Sequence, residues 1–152
     1  MIALIQHVSE AAVRVEEETI GAIGPGILAL IGVRPADDLA SAERLLERVL
    51  GYRIFADELG RMNLSLRDTQ GGLLLVPQFT LAADTHKGMR AGFSTAAPPE
   101  HARKLFEALL ARARAVHSPV AGGSFGAHMR ISLVNDGPVT FWLESAAEAR
   151  PG

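Results

Sequence analysis

The chain has no cysteine. Disulfides, a thiol nucleophile and thiolate metal sites are therefore excluded, and the composition suits the reducing cytoplasm, where the protein is expected to reside. An excess of one charge is also missing: 15 Lys and Arg against 17 Asp and Glu leave a net charge of −2 and a pI near 6.2. Wholesale wrapping of nucleic acid needs a basic field that this chain lacks, although contact with a few phosphates stays open. No apolar run approaches the ~18 residues that cross a bilayer, so no membrane partner is expected. The opening stretch Met1-Ile2-Ala3-Leu4-Ile5-Gln6-His7 has no basic leader and does not read as a signal peptide. His7, His86, His101, His117 and His128 nowhere adopt metal-ligand spacing such as His-x-x-x-His, so no metal or other cofactor is expected. Gly24-Pro25-Gly26 and Gly122-Gly123 match no phosphate-cradling loop.

What is present suits one domain. The 152 residues are 48% hydrophobic and 21% charged, enough for a single core. Residues 1–145 read as that domain and 146–152 as a flexible tail, Ala-rich and without a core pattern. Alternation at Ile2–Val8 and again at Val13–Val15 predicts strands, followed by a polar turn at Glu16–Thr19 and a strand over Ile20–Ile23. Ile27–Val33 and Leu73–Val76 are continuous apolar runs, expected as strands buried on both faces. A helix capped by Asp37, Asp38 or Ser41, with Leu39, Ala42, Leu46 and Val49 on its stripe, ends near Gly51. A second helix starts at Pro98-Pro99-Glu100 and buries Ala102, Leu105, Phe106, Leu109 and Ala113. His101 and His117, on or beside it, read as solvent residues. A hairpin is expected around Asp57–Gly60, and a mobile basic loop over Asp84–Phe93. Strands close the chain at Val120–Phe125, His128–Asn135 and Val139–Glu144. The order is not strictly alternating, so the fold class is α+β: a mixed, largely antiparallel, barrel-like sheet with two main helices packed on it.

Two segments bring backbone rather than ionisable side chains to a site. Asn135-Asp136-Gly137-Pro138 reads either as an ordinary reversal between strands or as a cis X-Pro peptide with two carbonyls aimed the same way. Gln78-Phe79-Thr80 reads either as a strand end with a buried Phe79 or as a reacting segment. In the second case Thr80 would need a general base, and none is evident nearby. The Phe79 and Thr80 amides need no such partner to act as an oxyanion hole.

These segments belong to a longer set: Ala3-Leu4-Ile5-Gln6, Arg53-Ile54-Phe55, Met62-Asn63-Leu64-Ser65, Gln78-Phe79-Thr80-Leu81, Ala83-Asp84-Thr85, Ala97-Pro98-Pro99, Phe125-Gly126-Ala127 with Met129, and Ser132–Thr140. In this order they resemble the D-aminoacyl-tRNA deacylases, over nearly the whole chain. The resemblance implies a homodimer that removes D-amino acids, and also glycine mischarged on tRNA(Ala), from the 3′ acceptor end of tRNA. It implies that Gly137 and Pro138 form a cis pair inserted into the partner subunit's site, excluding L substrates. It gives Gln78, Phe79 and Thr80 the catalytic segment, and has Phe125 and Met129 line the pocket. The chain departs from the family pattern at Pro77, where serine is usual, and at His7, where an arginine usually fixes the Gly-Pro orientation. Two alternatives share these residues: a module that binds aminoacyl-tRNA ends without turnover, and a hydrolase of small acyl esters.

Overall fold

A computed structural model describes residues 1–146, so the tail expected at 146–152 lies, apart from Ala146, outside the described residues. The elements run β1 (Ile2–Val15), β2 (Glu18–Ile23), β3 (Gly26–Gly32), α1 (Leu39–Gly51), β4 (Phe55–Ala56), β5 (Met62–Leu64), α2 (Leu66–Thr69), β6 (Gly72–Pro77), a 3₁₀ turn (Phe79–Ala82), α3 (Pro99–Val116), β7 (Val120–Gly122) and β8 (Arg130–Glu144). β1 pairs antiparallel with β2, β3 and β8, whereas β3–β6 and β6–β7 are parallel. Gly21 of β2 lies against Gly122 of β7, which brings the two ends of the curved sheet together into a nearly closed barrel.

The apolar runs behave as their composition demands. In β3 and β6, Ile27, Ala29, Leu73 and Leu75 face the helices, while Leu28, Leu74 and Val76 face a second core with Val8, Ala11, Val13 and Ile23. Such strands are buried on both sides and need no polar alternation. β3 and β6 approach so closely at Gly26 and Gly72 that a Cβ on Gly26 would stand 1.9 Å from the Gly72 carbonyl oxygen. That contact explains the glycine after Pro25.

The helices form where caps and stripes agree. Asp38 caps α1: its carboxylate accepts from the Ser41 amide at 2.8 Å, and Ser41 Oγ accepts from the Asp38 amide at 3.1 Å. Leu39 lies outside the buried stripe predicted for it and is 65% exposed, although Ser41 and Ala42 in the same turn are buried, because it is the first helical residue and sits at the end of the stripe. Leu45 and Leu50 are buried instead. α3 buries Ala102, Leu105, Phe106, Leu109 and Ala113 as its periodicity predicts, the large side chains contributing about 2 kcal/mol each. The solvent reading of His117 is corrected: it is 7% exposed, with Nε2 2.7 Å from the Gly71 carbonyl oxygen. His101 is half-buried, its Nε2 2.6 Å from the Asp37 carbonyl oxygen. The N-terminal ammonium is buried on Asp37 Oδ1 at 2.7 Å, and Asp37 Oδ2 accepts from the Arg34 amide at 2.7 Å.

Candidate active site

β6 delivers the first segment. Its parallel ladder with β3 ends at Ile31–Pro77, where the Gln78 amide donates to the Ile31 carbonyl at 2.7 Å. Pro77 is tolerated because β7 pairs only as far as Leu75, so no neighbour requires an N–H at position 77. The chain then tightens into the 3₁₀ turn instead of continuing as a strand. Phe79 is therefore not a buried strand residue; it is 57% exposed and packs on Phe93 with ring centroids 5.4 Å apart. The Phe79 and Thr80 amides open this turn and make no hydrogen bond among the described residues, as the geometry of a helical start leaves them. Gln78 Nε2 donates to Thr80 Oγ1. An amide N–H cannot accept the hydroxyl proton, so this contact orients Thr80 without activating it.

A cleft of about 450 Å³ lies beside the segment, walled by Val76, Pro77, Gln78 and Phe79 on one side and by Phe125, Met129 and Ile131 on the other. Ala97, Pro99 and Ala102, at the start of α3, form its end. Met129 is seated by a 3.4 Å contact from the Ser124 amide to its sulfur. The interior is mostly apolar, with Gln78 inside and exposed His128 at the edge.

The second segment sits elsewhere. β8 runs along β1 from Arg130 to Glu144, but between the pairs Val8–Asn135 and Gln6–Thr140 the residues Asp136–Val139 loop out opposite His7 alone. The predicted pair of strands is thus one strand with an excursion. The Gly137-Pro138 peptide is cis. Gly137 has φ +147°, and a Cβ there would stand 2.6 Å from Val139 Cγ2, so the position calls for glycine. Asn135 ties the base of the loop: Oδ1 accepts from the Val139 amide at 2.8 Å, and Nδ2 donates to Thr140 Oγ1 at 3.0 Å and to the Val139 carbonyl at 3.3 Å. Sequence reasoning missed this role, although an Asn opening a turn and bonding its own backbone is the available signal. His7 packs edge-on against Phe55, centroids 4.8 Å apart.

The structure thus gathers Gln78, Phe79, Phe125 and Met129 at one cleft with Thr80 beside it, and His7 with Gly137 and Pro138 at another place. Neither Gly137 nor Pro138 lines this cleft. The basic loop is closed at its neck by paired backbone bonds between Asp84 and Gly92, at 2.7 and 2.8 Å. Hydrogen bonds from the His86 amide and side chain hold the Asp84 carboxyl below the usual carboxylate range.

Comparison with known proteins shows the family. The family model described as D-Tyr-tRNA(Tyr) deacylase matches residues 4–144. The chain is 73% identical over 144 residues to a D-aminoacyl-tRNA deacylase of Thioalkalivibrio sulfidiphilus, covering 95% of this chain and 97% of that protein. A D-aminoacyl-tRNA deacylase of Azotobacter vinelandii is 64% identical over 145 residues, covering 95% and 100%. Among solved structures, the c-Myc DNA unwinding element binding protein superposes with a TM-score of 0.91 at 39% identity, covering 97% of this chain and 100% of that one. A probable eukaryotic D-amino acid tRNA deacylase shares the fold at a TM-score of 0.83 and 16% identity, over 94% and 98%. From its strand ends to its excursion, this chain belongs to the D-Tyr-tRNA(Tyr) deacylase family and is an ester hydrolase of the D-aminoacyl-tRNA deacylase kind.

Proposed function

We propose that the protein works as a cytoplasmic homodimer that hydrolyses D-aminoacyl-tRNA, and glycyl-tRNA(Ala), to the free amino acid and tRNA. The observation that carries this reading is that Gly137 and Pro138 loop out of β8 and do not line their own cleft. β8 pairs with β1 on one edge and with no described strand on the other. It leaves Val134 and Trp142 each 48% exposed. A long, free, apolar edge invites a partner strand or subunit. A second copy packed there would bring each Gly-Pro bend to the other's cleft.

The terminal adenosine would dock against Phe125 and Met129, with Gln78 holding it. The ester carbonyl oxygen would face the Phe79 and Thr80 amides. As water attacks the carbonyl carbon, charge builds on that oxygen, and each aimed amide supplies roughly 10²–10³ in rate. The ester C–O bond then breaks, and the ribose oxygen leaves with a proton. Thr80 lacks a base, so the adenosine 2′-hydroxyl is the better candidate to relay that proton. The substrate is an activated ester, for which positioning and these dipoles suffice. The Gly137 and Pro138 backbone of the partner would face the α-carbon and collide with an L side chain, while a D side chain or glycine passes. Where His7 replaces the usual arginine, the Asn135 hydrogen bonds carry the orientation of the bend.

The test is deacylation of matched D-Tyr-tRNA and L-Tyr-tRNA with the oligomeric mass measured on the same sample. Release of the D amino acid alone by a dimer is expected. Saturable binding without turnover, or cleavage of free D-amino acid esters but not charged tRNA, would refute the proposal. Thr80→Ala should keep substantial activity; full loss with the fold intact would restore a threonine nucleophile.

A further inference from the structure

We infer that Arg103 is a positioning residue that grips a backbone phosphate of the RNA end entering the cleft, an assignment that rests on the function proposed above. Most arginines on this surface have an evident occupation. Arg34, Arg67 and Arg112 pair with Glu144, Glu47 and Glu43. Arg14, Arg48 and Arg53 donate to the Glu17 carbonyl, the Glu144 carbonyl and Asn63. Arg103 has no hydrogen bond or ion pair among the described residues. Its guanidinium lies over the Phe125 ring, 5.2 Å from the centroid. One Nη stands 3.6 Å from where a Cβ on Gly126 would be.

That place is the rim of the cleft, since Phe125, Gly126 and Ala102 all line it. Phe125 and Met129 offer a flat base an aromatic face and a soft apolar wall. A nucleoside seated there has its sugar phosphate about one ribose away from the ring. Arg103 is exposed; stacking on Phe125 limits its rotamers while its N–H fork has no acceptor among the described residues. The fork matches phosphate geometry, and a guanidinium is more weakly hydrated than an ammonium. An anion from the amino acid is the weaker fit, because the α-carboxyl is esterified and most side chains carry no charge. The RNA end brings phosphates with every substrate. Glu100, one turn earlier on α3, makes no ion pair with Arg103 that would neutralise it.

The experiment compares two substrates that share the scissile ester, D-Tyr-tRNA and D-tyrosyl-adenosine, which has no phosphate. Arg103→Ala should lower kcat/KM on the charged tRNA about tenfold, mainly through KM, as expected for one charge-assisted contact. It should flatten the dependence of log kcat/KM on log salt by about 0.7, the share of one single-stranded phosphate contact. Cleavage of D-tyrosyl-adenosine should stay within about twofold of wild type. Arg103→Lys should recover part of the loss. Equal losses on both substrates would make Arg103 a packing partner of Phe125 and overturn the assignment. So would an unchanged salt slope, or a loss confined to D-Asp and D-Glu esters. Wild-type protein that cleaves neither substrate would overturn the proposed function, and this assignment with it.

Discussion

Asn135→Ala should loosen the Gly137-Pro138 bend while leaving the barrel folded. The side chain makes three hydrogen bonds, two to the Val139 backbone and one to Thr140 Oγ1. Each is worth about 1 kcal/mol net. Asn135 is only half-buried, and water can replace part of what is lost, so the bend should weaken by about 2 kcal/mol in total. If selection of handedness depends on a stiff backbone, an opening made easier by about 2 kcal/mol admits the L substrate roughly thirtyfold more often. The D rate should barely change, because the amides of Phe79 and Thr80 lie on another strand end. Initial rates on matched D- and L-Tyr-tRNA give the ratio, and hydrogen exchange of the Val139 amide reports the loosening directly. Asn135→Asp keeps the acceptor for Val139 but loses both donors, so it should fall between wild type and Asn135→Ala. Faster Val139 exchange with an unchanged D/L ratio would refute the reasoning, since stiffness would then have no part in discrimination.

Gly26→Ala should destabilise the fold by about 3 kcal/mol, since the added Cβ meets backbone that cannot turn aside, whereas Gly24→Ala should stay within about 0.5 kcal/mol, with nothing within 4 Å; urea melts of the pair decide it. Asp37→Ala leaves the buried N-terminal ammonium with only the Ser145 carbonyl and no counter-charge, and the Arg34 amide without its acceptor, and should cost about 3 kcal/mol, read by thermal unfolding; an unaltered melt would refute the buried pair. The Asp38 carboxyl is held below its usual range, first by the Ser41 amide and then by the Ser41 hydroxyl. Its capping contribution is therefore present above the ordinary carboxylate range and is lost as pH falls through the lowered folded value. An NMR titration of Asp38 alongside the Ser41 amide should show both moving together in acid; Asp38 titrating in the ordinary range would contradict the cap.

The sequence foretold those elements whose pattern is repeated by their packing. The buried face of α3 is legible because Leu105, Phe106 and Leu109 meet a core along the whole helix. Leu39 defeats the same logic because periodicity says which residues share a face, not that the first residue of that face is covered: Ala42 is buried one turn on and Leu39 is not. α2 has one turn and hence no period; only the reciprocal Ser65 and Asp68 cap marks it. β1 is continuous through Ser9 and Glu10 because pairing with β8 carries it across polar residues that alone would end a strand. At the site, Gln78, Phe79 and the Gly137-Pro138 dipeptide were legible as motifs. Their separation into a cleft and a bend outside it was not, since it depends on which edge of β1 takes β8. His117 was misread because a histidine beyond a helix end looks exposed until the Gly71 carbonyl closes over it.

The pairing of β1 with β8 sets Ile2 opposite Glu144, so the earliest strand of the chain awaits nearly the last. A nascent polypeptide can assemble β1, β2, β3 and β6 as they emerge, yet the bend it would lend to a neighbour arrives only with the closing strand. Contacts so distant in sequence slow folding. Maturation of this protein should therefore be late, with a scaffold of β1, β2, β3 and β6 forming first and the Gly137-Pro138 bend set only once β8 has paired with β1.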